Sequence, residues 1–103
     1  MRQLVIDIQG VGPHDVVPAM PGSRVIVDYM FLTFSHAEPR AQRVTLMSGS
    51  TVFMKSYVLD GGELEYSRRT DDETRINIGD AFRVEMTAGL LATGTVMFSV
   101  GAQ

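Results

Sequence analysis

A chain of 103 residues leaves room for one domain, 1–103, and at this size folding buries roughly 60–70% of the surface that the unfolded chain exposes. Apolar content of 45% and charged content of 20% are those of a globular protein, while a net charge of −3 with scattered basic residues argues against nucleic acid as a partner, because phosphate binding needs clustered Lys and Arg. With no cysteine there are no disulfides, thiolate metal sites or cysteine nucleophiles, and no apolar run approaches the ~18 residues of a membrane span, so no membrane partner is expected.

Apolar residues recur with a period of two almost everywhere. Leu4, Ile6 and Ile8 alternate with Val5, Asp7 and Gln9, which predicts a first strand and, since Asp7 and Gln9 interrupt the apolar run, no signal peptide. Residues 10–22, rich in Gly and Pro, read as a long loop or an arm that orders on a neighbour, since connections of about 4–6 residues are usual. The stretch 23–35 is apolar on both faces, with Val25, Val27, Tyr29 and Phe31 on one side and Ile26, Met30, Leu32 and Phe34 on the other. A strand of that kind is covered on both sides, which makes Val25, Val27, Tyr29 and Phe31 candidates for a partner interface. Oligomerisation would supplement the modest core of so small a domain.

Strands are then expected at 42–47 and 51–59, joined by the Ser48-Gly49-Ser50 turn, and at 63–67 after the Asp60-Gly61-Gly62 turn. Glu63 and Glu65 mark the last of these as a short edge strand, because outward charges discourage edge-to-edge pairing. Further strands are predicted at 75–78, 81–87 and 95–100, with Phe82, Val84 and Met86 alternating against Arg83, Glu85 and Thr87. No segment sustains a helical pattern. About eight strands spaced 8–12 residues apart predict an all-β antiparallel sandwich, jelly-roll or Ig-like. Met47 and Met97 fall on the polar phase of their strands and join the interface candidates, methionine being adaptable at partner surfaces.

Candidate chemistry is sparse. Asp71-Asp72-Glu73 lacks the spaced ligand pattern of a calcium loop and reads as a solvated charged loop. His14 and His36 fall in predicted loops, and no serine lies in a nucleophile-elbow sequence, so no catalytic, cofactor-binding or metal residues are assigned and no cofactor is expected. Asp28 lies inside the apolar stretch and calls for a partner, with Arg24, Arg43 or Arg83 in reach of neighbouring strands. Tyr29, Tyr57 and Tyr66 lie in separate strands and there is no Trp, a poor basis for a carbohydrate-stacking platform. The glycines have no helix after them and so form turns, not a phosphate cradle.

Four segments carry a family resemblance: Val44-Thr45-Leu46-Met47-Ser48-Gly49-Ser50-Thr51-Val52, Asp60-Gly61-Gly62, Ile78-Gly79-Asp80-Ala81-Phe82-Arg83-Val84-Glu85-Met86 and Gly94-Thr95-Val96-Met97-Phe98. Across 43–100 the chain resembles short structural proteins of tailed bacteriophages, departing from their pattern in the charged stretch 68–73. The resemblance implies a non-enzymatic virion component, foremost a capsid decoration (cement) protein, made in the host bacterial cytoplasm. Its implied partners are further copies of itself, a trimer above all, and the major capsid protein. The alternative is a carbohydrate- or receptor-binding sandwich on a phage tail or fibre.

Overall fold

The two-residue apolar repeat becomes eight strands in the computed structural model, which describes residues 2–67, 76–87 and 89–101. They are β1 Arg2–Gln9, β2 Gly12–Val17, β3 Arg24–Ser35, β4 Gln42–Ser48, β5 Thr51–Val58, β6 Glu63–Ser67, β7 Phe82–Met86 and β8 Leu91–Gly101. Two four-stranded antiparallel sheets, ordered β1-β8-β3-β6 and β2-β7-β4-β5, form a sandwich. Each strand has as one neighbour the strand at the mirror position in the chain (β1 with β8, β2 with β7, β3 with β6, β4 with β5), so the whole chain is one long hairpin wound round its core. This is the winding of a jelly roll, not the Ig-like order, in which the first, second, fifth and fourth strands share a sheet.

The inner faces meet in one core. Val25, Met30, Leu32 and Val96 from the first sheet and Val44, Leu46, Phe82 and Val84 from the second are fully buried there. β3 has 12 residues, a length of about 40 Å at ~3.3 Å per residue, which accounts for the 44 Å long axis of the molecule.

Three expectations about the elements and their bounds need correction. The segment 10–22 is neither an arm nor one long loop: Gly12–Val17 is β2, antiparallel to β7, with Val17 fully buried. Gly10 (φ 94°) and Gly12 (φ 109°) let the chain cross between sheets in two residues, a backbone path that side chains with a Cβ rarely follow. Pro13 and Gly12 hid this strand, because both are turn-formers and Pro is tolerated only at such an edge. Second, residues 76–80 form a bend and a turn, not a strand. The predicted number of strands therefore matches although one member is exchanged. Third, β8 starts at Leu91, four positions before the predicted 95. The acidic run 71–73, and the charged loop 68–73 that contains it, lie outside the described residues.

The largest departure lies in β3. Its pairing with β8 shifts between Val27 and Tyr29, so Asp28 is an extra residue, a β-bulge. The buried phase is therefore Val25 and Val27 before the bulge and Met30, Leu32 and Phe34 after it. What reads as two apolar faces is one inward face that changes parity.

At the end of the second sheet, the β4–β5 turn is tied to the segment before β7. Ser48 Oγ donates to Asp80 Oδ2 at 2.9 Å and accepts from the Asn77 N–H at 2.8 Å, while Gly49 N–H donates to the Ala81 carbonyl at 2.9 Å. A Cβ on Gly49 would lie 2.9 Å from the Asp80 carboxyl carbon, so the glycine is required by close approach as well as by its φ of 54°. Two of the segments that carry the resemblance thus meet in a single polar lock.

Candidate functional site

Side chains alternate across a strand, so the neighbours of the buried β1, β3 and β8 residues define the outer face of the first sheet. Register places them in rows. Val5, Thr95, Phe31 and Glu65 face one another across four strands, and Gln3, Met97, Tyr29 and Ser67 form the next row. Ile26 opposite Ser99 follows beyond the bulge. The centre of this face is therefore apolar: Val5 is 81% exposed, and Ile26, Tyr29, Phe31 and Met97 are each partly exposed. Its border is mainly acidic, with Asp7 on β1, Asp28 at the bulge, and Glu63 and Glu65 on β6, against Arg24 next to Ile26 at the start of β3.

Side-chain hydrogen bonds tie this face together, among them Thr33 Oγ1 with Thr93 Oγ1 at 3.2 Å. Tyr29 Oη donates to Glu65 Oε2 at 2.9 Å across the β3–β6 pair. That bond to the carboxylate, followed by desolvation and the Glu65 charge, raises the Tyr29 pKa above the ordinary tyrosine value. Ser99 Oγ donates to Asp28 Oδ2 at 2.7 Å, which supplies the carboxylate with a partner at the bulge. Among the described residues none of the three arginines expected to pair with Asp28 (Arg24, Arg43 or Arg83) does so: Arg83 Nε bonds Asp15 Oδ1 at 2.6 Å and Nη1 bonds the Gly49 carbonyl at 3.2 Å, both on the second sheet.

Of the six interface candidates, the structure brings three together on one surface: Tyr29, Phe31 and Met97. Val25 and Val27 are core residues, 0% and 4% exposed, turned inward by the bulge. Met47 does point outward, but on the other sheet, where it is flanked by Arg83 and Val52 and is 8% exposed. Val5 and Ile26 belong to the outer face and escaped the sequence reading. Val5 shares the parity of Asp7 and Gln9, which could have flagged it, whereas Ile26 is reassigned only by the bulge.

Each histidine ring is tied to a backbone carbonyl. His14 lies in β2, not in a loop, and donates from Nε2 to the Gly10 carbonyl at 3.0 Å. His36 is buried just after β3, with Nε2 donating to the Val58 carbonyl at 3.2 Å. Among the described residues no group of three or more His, Cys, Asp or Glu side chains converges as a metal site would require. An open hollow of ≈ 370 Å³ is lined by Val11, Gly12, Arg43, Glu85, Met86 and Thr87. Its hydroxyl, Thr87 Oγ1, donates to the Gln42 side-chain carbonyl at 3.1 Å.

No family model, no curated protein and no solved structure matches this chain. The functional reading therefore rests on its own residues.

Proposed function

We propose that this protein is a non-enzymatic structural component of a tailed-phage virion, a capsid decoration protein that adheres through the outer face of its β1-β8-β3-β6 sheet. The observation that carries this reading is the cluster of Tyr29, Phe31 and Met97 with Ile26 and Val5 on a face that a lone sandwich presents to water and normally makes polar. An apolar centre with a charged border is how interfaces are built, and the acidic border here calls for a partner with basic groups around an apolar patch. The jelly-roll winding is common among viral shell proteins, and the resemblance over 43–100 points the same way.

The rival reading, a sugar- or receptor-binding module, finds less support. Tyr29 lies on the outer face of one sheet, Tyr57 opposite Arg43 on the other, and Tyr66 packs against Phe53, so the three rings form no shared platform.

Quantitative mass spectrometry of purified virions tests the proposal, together with rebinding of the pure protein to shells that lack it. The chain is expected in copy numbers of the order of the shell lattice. Phe31→Glu combined with Met97→Glu is expected to abolish rebinding while circular dichroism is unchanged. Absence from the virion, a tail-tip copy number, or undiminished binding by the double variant overturns it.

A further inference from the structure

Four strands end the two sheets, and three carry features that block a further strand. β2 has Pro13 and a register shift between Asp15 and Val17, β6 is five residues long with outward Glu63 and Glu65, and β5 carries Lys55 and a bulge at Phe53, the residue skipped where Leu46 and Met47 pair with Met54 and Val52. β1 is different. It pairs with β8 over eight residues without a shift, contains no proline or glycine, and has a single charge, Asp7, within its central run Gln3-Leu4-Val5-Ile6-Asp7.

Register tells which of its backbone groups are unused. Gly10 N–H donates to the Leu90 carbonyl at 3.0 Å, so residues 10 and 90 form a hydrogen-bonded pair in the same register that sets Gln9 opposite Leu91. Such pairs alternate in an antiparallel ladder. Ile8, Ile6, Leu4 and Arg2 therefore bond β8, while the N–H and C=O groups of Gln3, Val5, Asp7 and Gln9 point out along the open edge.

We infer that β1 pairs antiparallel with β1 of a second copy of this chain, about a two-fold axis at Val5, giving one continuous eight-stranded sheet. The axis must stand perpendicular to the sheet, which keeps the inner face of both copies on the same side and requires residues of equal parity to meet. With Val5 opposite Val5, Gln3 meets Asp7 of the other copy, amide donor to carboxylate, and does so twice. Leu4, 38% exposed at the rim of the core, comes opposite Ile6 and is covered. The outward backbone groups of Gln3, Val5 and Asp7 all find partners, and Val5, the most exposed large apolar side chain among the described residues, is placed against its own copy. The contact is isologous and closes at two subunits. It also runs the Val5–Phe31 row of one copy into that of the next, doubling the apolar face, but it does not depend on the virion reading: a dimer that ignores shells upholds this inference and overturns that one.

Light scattering on a sizing column, with the full chain, gives the first result: a mass of twice 11.3 kDa. Val5→Cys then tests the axis in a chain with no other cysteine. Hydrogen-bonded pairs bring Cα atoms to about 5.5 Å, within disulfide range, so mild oxidation is expected to convert that variant to a covalent dimer and to leave Lys55→Cys, on the other sheet, uncrosslinked. Val5→Pro removes an N–H that the protomer does not use, and Val5→Lys sets two like charges together at the axis. Each is expected to shift the population to monomer by at least tenfold in dissociation constant with an unchanged β spectrum, and Val5→Lys decides the matter should the proline variant not fold. A wild type that is monomeric at all concentrations, a trimer, or a dimer indifferent to Val5→Lys overturns the inference.

Discussion

Gly94 lies in β8 between Ile6 and Leu32, facing the core, and a Cβ there would overlap the Phe31 carbonyl oxygen. The obstacle is backbone, which cannot swing aside as a side chain can. Gly94→Ala is expected to cost about 1–3 kcal/mol, read as a lower urea midpoint at unchanged m. Ser48→Ala tests the polar lock by another route: it leaves the Asn77 N–H and the Asp80 carboxylate short of a partner, at about 1–3 kcal/mol by the same measurement. Tyr29 offers a pH test. Its pKa is raised in the fold, chiefly by the bond to Glu65, so its contribution to stability is complete below the ordinary tyrosine value and is lost as pH rises through the raised one. Absorbance titration should show Tyr29 ionising at lower pH in Glu65→Gln than in the wild type.

Among the elements, β3 decides how much of the site could be read beforehand. Alternation identifies it as a strand, and of the interface candidates read from the sequence Tyr29, Phe31 and Met97 fall on one outer face. One inserted residue, Asp28, reverses the parity half-way, and no local pattern announces a bulge because the apolar residues continue on either side of it. Two substitutions separate the faces. Met30→Ala, in the core, is expected to cost about 2–5 kcal/mol, and Phe31→Ala next to it less than about 1 kcal/mol, the scale of a cross-strand contact. Chemical denaturation of both variants gives the comparison, and equal costs would contradict the assignment of faces. β2 was missed for the opposite reason. It is held by pairing with β7 and by the burial of Val17, while its own residues, Gly12 and Pro13, favour turns.

For the molecule as a whole, the winding sets the folding problem. The centre of the first sheet pairs β3 with β8, Arg24 opposite Gly101, and its edge sets Arg2 opposite Phe98. Loop closure over such separations is slow, so refolding is expected on the order of milliseconds to seconds in stopped-flow fluorescence; a microsecond phase carrying the full amplitude would contradict it. The small core also explains why an uncovered strand edge and an apolar outer face matter: a domain of this size has little burial in reserve, and the proposed association would add to it.

The residues by themselves determined the all-β class, the Gly49 and Gly61 turns, the charged edge at Glu63–Ser67 and the inward set of β7, because turn preference and two-residue alternation are local properties. Only the tertiary structure decided that the winding is a jelly roll, that Gly12–Val17 is a strand, that Val25 and Val27 lie inside, and that Tyr29, Phe31 and Met97 share a surface with Val5. Those outcomes depend on which strands pair and where one residue is inserted between them, and pairing is settled by contacts between residues far apart in the chain.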